Sequence, residues 1–423
     1  MNQNQNVFLL DAGGTFLKGA VLQAGGLSTI HREAMPPMLE NEPGAKEIDP
    51  KDLTSRLELL ILKMTSEFGP PSNLRLTGQM GGLVLLDLDG KPLSGVRSWQ
   101  DTRTLIPRQG NISSWDRFRT EYLDEFSAAS GNDIKPSTSI VQLLDQLSVK
   151  PVSEPFRAMS LLGYIANHLA GSLSNPTIHA SDAAATGMFD IFGSDFNLDG
   201  IGRISKFATM PVVQKTYAPI EGGSNGDYIV MAGVGDQQAS LFGVDLDNNS
   251  IAVNVGTGGQ VAMLTPQSAR SPQLGIQIRP YFLESRIGTI THLPAGRIIS
   301  RVVSELFGSN HPDAFRKFFS QSASIGGHDP IDLYDLDLKG LDKVQPNTMR
   351  IARSVLNEFV NKYESAINQL DPLGKRKIIF AGGLGQRFTQ FSDVLSLRSG
   401  RERLISKQPE TSLAGLAKLE IGN

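Results

Sequence analysis

Short apolar runs punctuated by glycine open the chain. Val7–Leu10 is apolar throughout and runs into Asp11-Ala-Gly-Gly-Thr15, so it reads as a buried strand ending in a tight glycine turn. Phe16–Leu22 resumes strand character and Gly25-Gly26 closes it, which predicts a β-hairpin with a glycine-rich tip. From Leu53 to Phe68 the apolar positions (Leu53, Leu57, Leu60, Ile61, Met64, Phe68) fall at helical spacing. Leu74–Thr77 and Leu83–Leu88 read as strands, with Asp89-Gly90 turning the chain before Pro92. Ser139–Ser148, Arg157–Leu169 and Arg353–Leu370 carry helical patterns, and Tyr228–Gly233 and Ile251–Val255 carry strand patterns.

The last of these strands repeats the opening. Ile251–Asn254 leads into Val255-Gly-Thr-Gly-Gly259, and Gln260–Leu264 resumes a strand. A strand–glycine turn–strand unit therefore recurs about halfway along the chain. No short repeat period is present, which excludes a solenoid. The pattern predicts two related halves, residues 1–243 and 244–423, each opening with a glycine-tipped hairpin. Gln267–Gln273 and Gly326–Asn347, polar and broken by proline and glycine, are predicted loops.

Composition narrows the function classes. A length of 423 residues accommodates two or more domains, and 40% hydrophobic with 20% charged residues is an ordinary globular balance. Forty basic against 43 acidic residues give a net charge of -3, which offers no basic excess for a nucleic-acid backbone. The sequence contains no cysteine, so disulfides, zinc–thiolate sites and thiol nucleophiles are excluded. It opens on Met-Asn-Gln-Asn-Gln-Asn rather than on a signal-peptide pattern, and no apolar stretch is long enough to span a bilayer. A cytoplasmic enzyme without nucleic-acid or membrane partners is the expectation.

Several motifs carry chemistry. Glycines at a turn let backbone N–H groups approach an anion, and Thr15 adds a hydroxyl. An acid at the strand end beside a phosphate needs an intervening cation, so Asp11 implies Mg²⁺; an ordinary hairpin with a capping Asp is the competing account of that motif alone. Val255-Gly-Thr-Gly-Gly259 offers the same chemistry again, and two such loops suggest two clamps on one polyphosphate. Phe380-Ala-Gly-Gly-Leu-Gly-Gln-Arg387 follows a strand (Lys377–Phe380) and precedes a helix (Phe388–Leu397), a nucleotide-contact arrangement that is neither a Walker loop nor a dinucleotide fingerprint. In Gly233-Val-Gly-Asp-Gln237, Asp236 follows a strand and a glycine turn, where a carboxylate can take the proton of a sugar hydroxyl; it is equally placed to cap a helix over Gln237–Phe242. Leu76-Thr-Gly-Gln-Met-Gly-Gly82 and Ser98-Trp-Gln-Asp-Thr-Arg103 flank one predicted hairpin, and Trp99, Asp101 and Arg103 supply the aromatic face, acceptor and donor that polyols need. An Asp–Arg pair beside a core Trp is the alternative.

In this order along the chain, these segments resemble the FGGY family of carbohydrate kinases, and His179-Ala-Ser-Asp-Ala-Ala-Ala-Thr-Gly-Met-Phe-Asp190 resembles the family's stretch before its catalytic Asp. The resemblance implies an α/β fold of two ribonuclease-H-like (actin-like ATPase) domains facing each other across a cleft, using ATP and Mg²⁺. It implies Asp236 as general base, and Asp11 and Asp236 near the metal. Gly13, Gly14, Thr15 and Lys18 would serve the cofactor from one loop, Gly256, Thr257 and Gly258 from the other, and Gly382, Gly383 and Gln386 beside the adenosine. Gln79, Met80, Trp99, Asp101, Arg103 and Gln237 would line the pocket of a small free sugar. Gly235-Asp-Gln-Gln-Ala-Ser240, Asn254–Val261 and Arg279-Pro-Tyr-Phe282 are most similar to the sedoheptulokinase branch, which implies transfer to a seven-carbon ketose, with xylulose and other pentuloses open. A homodimer stays open. A catalytically silent sugar- or nucleotide-binding regulator on the same fold is the alternative function, and a mechanical chaperone or filament relative a third. Three departures stand out: Gly81 replaces a common His, Gly14 replaces a Thr of the first loop, and the chain is shorter than typical members.

Overall fold

The computed structural model describes residues 6–23, 26–224, 228–256, 258–267, 269, 275–322, 331–333, 345–387 and 389–422. Thr257, Gly25, Phe388 and most of the predicted loops 267–273 and 326–347 lie outside the described residues. The chain forms two compact α/β units. The first holds residues 1–243, 266–286 and 412–423; the second holds 244–265 and 287–411.

The first unit is built on a mixed sheet whose strand order is Pro219–Ser224, Ile229–Met231, Pro71–Gly78, Asn6–Ala12, Phe16–Gln23 and Gly26–Leu27. Asn6–Ala12 pairs antiparallel with Phe16–Gln23 across the predicted glycine turn, and Gly13 N–H closes that turn by donating to Phe16 O at 3.1 Å. On its other side Asn6–Ala12 runs parallel to Pro71–Gly78. Ile229–Met231 and then Val234–Gly235 run parallel to Pro71–Gly78 on its far edge. The predicted helix runs over Pro50–Phe68. The Asp49 side chain caps it by accepting the Asp52 N–H, Pro50 fits its first turn, and Gly69 ends it. Its apolar stripe (Leu53, Leu57, Leu60, Ile61, Met64) is buried with Phe8, Leu10, Leu74 and Leu76 from one face of the sheet. A separate core around Phe118, Phe126, Ile140, Phe156 and Phe189 builds the rest of this unit.

One predicted helix begins later than its pattern suggests. Arg157–Leu169 splits into a strand, Phe156–Met159, and a helix, Leu161–Ala170. Ser160 separates them because its hydroxyl accepts the Gly163 N–H and so starts the helix. The strand side is fixed by antiparallel pairing with Val84–Leu86, which a one-dimensional periodicity does not see.

The second unit repeats the hairpin. Ser250–Val255 pairs antiparallel with Gly259–Thr265 and parallel with Lys377–Ala381, which in turn pairs with Arg403–Ile405. The aromatic side chains of Phe359, Tyr363, Phe380 and Phe391 contact one another in its core, and Tyr363 Oη donates to Pro294 O. Among the described residues no helix is long and apolar enough to cross a membrane.

An ion cluster locks the end of this unit's long helix, Gln345–Leu370, to the turn before Arg403–Ile405. The buried Asp371 carboxylate accepts from Arg401 Nη1, from Arg376 Nη1 at 3.0 Å and from the Arg376 N–H at 3.1 Å. Burial alone would push this carboxyl up, but the two guanidinium groups more than reverse that and hold it below the usual range. Asp371→Ala strands the buried Arg401 without a counter-charge, and should destabilise the protein by about 3–5 kcal/mol. Urea unfolding followed by fluorescence checks this: the midpoint of the earliest transition should drop, and an unchanged midpoint would mean the cluster contributes nothing.

Candidate active site

Parallel pairing sets the register of the first unit's chemistry. Asp11 lies opposite Thr77, and Thr77 opposite Val234; Ala12 lies opposite Gly78, and Gly78 opposite Gly235. The carboxyl ends of three adjacent strands therefore deliver Asp11, Gln79 and Asp236 to one edge of the sheet. Strand spacing puts the outer two about 10 Å apart at the backbone, close enough for side chains to converge. Such strand ends are where open α/β sheets bind ligands.

Asp236 is the first residue of helix Asp236–Gly243, so the proposed cap and the proposed base are one residue. The residue is half-buried by accessible surface, and protein packs around its carboxyl. That burial, and next the charge of Asp11, push it up to about 7, while backbone N–H groups of its own turn and Arg279 oppose the shift. Asp11 is buried, accepts the Ser412 hydroxyl at 2.8 Å and has Lys18 Nζ 3.7 Å from the same oxygen. Asp182, in the short helix Ala180–Ala185, is also raised to about 7 by burial, with the charge of Asp236 adding to it. Ser181 in that helix accepts the Gly235 N–H at 3.0 Å and so fixes the turn that aims Asp236.

Gln79 accepts the Trp99 Nε1–H at 2.9 Å through Oε1. Its buried Nε2 has no protein partner among the described residues. Trp99 is 40% exposed and so has an aromatic face to offer. Arg279 enters from the returning segment 266–286. It donates through Nη1 to Gln237 Oε1 at 2.8 Å and through Nη2 to Gln277 Oε1. Its Nε is buried without a partner. Burial draws this guanidinium down to about 10, against the pull of Asp236, so it stays charged at neutral pH.

Asp101 and Arg103 differ from expectation. Asp101 is fully buried, and its carboxylate accepts from Arg103 Nε, Nη2 and N–H and from the Lys46 N–H. Arg103 spends its remaining nitrogen on Glu42 at 2.8 Å and shares Nη2 with Glu47 at 2.6 Å. The side-chain hydrogen bonds that the structure gives this pair go to protein groups, between the two residues and to Glu42, Glu47 and the Lys46 N–H. Met80 packs against the backbone of Gly235, where an added Cβ would sit 2.2 Å from its sulfur. Gly81 has φ +81°, so a histidine there would be strained whatever the space.

In the first glycine loop, Gly14 and Thr15 are exposed and their N–H groups have no protein acceptor among the described residues, as an anion nest requires. In the second unit, Gly256 O accepts the Gly296 N–H at 3.0 Å, which ties the second glycine loop to the start of helix Gly296–Phe307. Gly382 has φ +78°, and a Cβ there would lie 2.4 Å from Asn254 Oδ1, so only glycine allows the third glycine segment to press against the second. Gly256 and Gly383 line a cavity of ≈ 1010 Å³, together with Arg297, Phe315, Leu384 and Arg387. Gln386 lies beside it but donates to Gln408 O at 2.8 Å. Sequence reasoning missed Phe315 and Arg297, which follow no motif, and missed Ser181, Asp182, Ser412 and the chemistry of Arg279.

The family model for the N-terminal domain of the FGGY family of carbohydrate kinases matches residues 7–243. Solved structures match nearly the full chain. A ligand-bound xylulose kinase from Lactobacillus acidophilus is 19% identical, with a TM-score of 0.78 over 98% of this chain and 89% of that one. A gluconate kinase from the same organism is 18% identical, with a TM-score of 0.78 over 97% and 88%. Plasmodium falciparum glycerol kinase with ADP is 14% identical, with a TM-score of 0.78 over 98% and 88%. At these identities the likeness establishes the fold.

The environment of Arg103 predicts a structural phenotype. Arg103→Ala leaves Asp101 buried and unpaired and should cost about 3–5 kcal/mol in urea unfolding. Loss of acceptor affinity in a variant of unchanged stability would return Arg103 to the list of direct sugar contacts.

Proposed function

The chain belongs to the FGGY family of carbohydrate kinases, which use ATP, and from that premise we propose that it phosphorylates a hydroxyl of a small free ketose with Asp236 as general base. The observation that carries this reading is the strand-end constellation itself. The raised carboxyl of Asp236 and the buried, unpartnered amide of Gln79 lie at neighbouring strand ends, and Trp99 is hydrogen-bonded to Gln79. Aromatic faces suit the C–H surfaces of sugars, and unpartnered buried donors are costly unless a ligand satisfies them. Gln79, Trp99 and Gln237 are the proposed sugar contacts, Met80 packs the pocket floor, and Asp101 and Arg103 hold the Trp99 segment. Gly13, Gly14, Thr15 and Lys18 are the proposed phosphate contacts of the first unit. Gly256, Thr257, Gly258, Gly382 and Gly383 are those of the second, with Gln386 beside them and Phe315 and Leu384 walling the base.

The donor set suits Mg²⁺ delivered on nucleotide phosphates. Such an ion takes one or two protein carboxylates and keeps its other positions for phosphate and water, and the charge of Asp11 raises the proton affinity of Asp236, a repulsion that a cation between them would relieve. Once bound, the ion neutralises charge on the phosphates. Asp236 accepts the proton of the acceptor hydroxyl as that oxygen attacks the phosphorus, and Ser181 keeps the Asp236 turn in place. A silent regulator has no use for a raised carboxyl that costs desolvation, which favours the enzyme reading. Within the ketoses we place sedoheptulose first and xylulose second, on the resemblance carried by Gly235–Ser240, Asn254–Val261 and Arg279–Phe282.

The test is ADP release from ATP and Mg²⁺ against sedoheptulose, xylulose, glycerol and gluconate. Asp236→Ala should lower sugar-dependent turnover by about 10²–10⁴-fold, and retained turnover would remove it as base. The pH dependence has a defined sign. The base works ionised, so kcat/KM should rise with pH through an apparent pKa near 7 and level above it. A profile flat from pH 5.5 to 8 would contradict this. Stability moves the other way, because Asp236 and Asp182 bind protons more tightly folded than unfolded. Their contribution therefore declines as pH rises from the ordinary carboxylate range through about 7.

A further inference from the structure

Arg279 and Arg103 are both held in the first unit, and they differ in one respect. Arg103 is paired with three carboxylates, Asp101, Glu42 and Glu47. Arg279 bonds only the neutral amide oxygens of Gln237 and Gln277. Among the described residues no carboxylate stands within ion-pair distance of it, and its buried Nε–H has no acceptor. The residue is half-buried, but its Nε–H is sealed from solvent, and an N–H of a charged group taken out of water without an acceptor leaves its desolvation uncompensated. The missing anionic oxygen is expected from a ligand.

The position says which ligand group. Arg279 bonds the side chain of Gln237, the residue after Asp236 on the same helix, and is near enough to that carboxylate for its charge to lower the carboxylate's proton affinity. A hydroxyl held by that carboxylate becomes the ester oxygen of the product. The phosphorus bonds to this oxygen, so the phosphoryl oxygens arrive beside whatever lines the carboxylate. We propose that Arg279 is a catalytic residue whose Nε–H donates to a peripheral oxygen of the phosphoryl group as it lands on the acceptor. In that step the acceptor oxygen forms the new bond to the γ-phosphorus. The bond from that phosphorus to the β,γ-bridging oxygen breaks, its electron pair leaves on ADP, and the hydroxyl proton passes to Asp236. Phosphoryl transfer is helped by fixed positive charge at those peripheral oxygens, and planar guanidinium suits them better than ammonium. Gln237 and Gln277 act on Arg279 as positioning residues, since neutral acceptors orient the fork without cancelling its charge.

The inference rests on the kinase reading, and the experiment separates the two. Wild-type protein is first assayed for ADP release with sedoheptulose and xylulose. No sugar-dependent turnover by wild type defeats the kinase reading and the inference with it. With an active wild type, Arg279→Gln and Arg279→Lys are compared using the better acceptor. Loss of kcat by about 10²–10³-fold in Arg279→Gln, with the acceptor KM little changed, is the expected result, since the contact exists only during transfer. Added guanidinium chloride at millimolar concentration should restore part of that kcat, and sodium chloride at equal ionic strength should not. MgADP with aluminium fluoride and acceptor, a mimic of the transferring group, should bind wild type more tightly than the variant, while MgADP alone binds both equally. If Arg279→Gln does not fold, Arg279→Lys, which keeps the charge and most of the bulk, carries the same kcat test. Wild-type kcat with a raised acceptor KM in a folded variant overturns the proposal and makes Arg279 a ground-state sugar contact.

Discussion

The pairing of strand Pro71–Gly78 with a parallel neighbour on each side is the constraint on which the first unit's chemistry depends. Parallel strands put their carboxyl ends on one edge, and here that edge carries Asp11, Gln79 and Asp236 from segments far apart in sequence. A one-residue slip of either neighbour would turn its acid to the opposite face. Register is protected by burial of the strands on both faces and by a polar lock: Thr77 Oγ1 donates to Val234 O at 2.8 Å inside the sheet. The fold thereby brings buried carboxyls together, an arrangement that costs free energy and is sustained by the surrounding packing.

The returning chain stabilises this arrangement. Helix Thr411–Lys418 lays Gly415 against Ala239 so closely that a Cβ would fall 1.8 Å from the Ala239 carbonyl oxygen. Arg75 donates to the carbonyls of Leu416 and Leu419 and so caps that helix from the central strand. Ser412 then reaches Asp11. The last dozen residues thus brace both acids, one through its helix and the other through a hydroxyl.

These details mark how far the sequence was legible. The glycine-tipped hairpins, their recurrence, the strand before Asp236 and the helix Pro50–Phe68 are local patterns, written in consecutive residues by apolar periodicity and turn chemistry. The family resemblance rested on the same local strings. What stayed hidden is tertiary. Segments 266–286 and 412–423 join the first unit although they follow the second hairpin, and no periodicity announces that. Arg157–Met159 pairs as a strand because Val84–Leu86 is there to receive it. Arg279, Ser181 and Ser412 stand beside the acids only once the chain has folded.

Asp101 and Arg103 on one side, and Gln237 and Arg279 on the other, show why residue type alone misassigns roles. Arg103 is buried and Arg279 half-buried, and both touch residues of the sugar-site motifs. Arg103 meets three carboxylates, so its charge is compensated within the fold. Arg279 is steered by two amides that leave its charge whole, beside a carboxyl whose proton affinity it lowers. Counter-charge therefore separates the two roles: a guanidinium neutralised within the fold serves the scaffold, and one left unneutralised next to a raised acid is poised for an anion that arrives with the reaction.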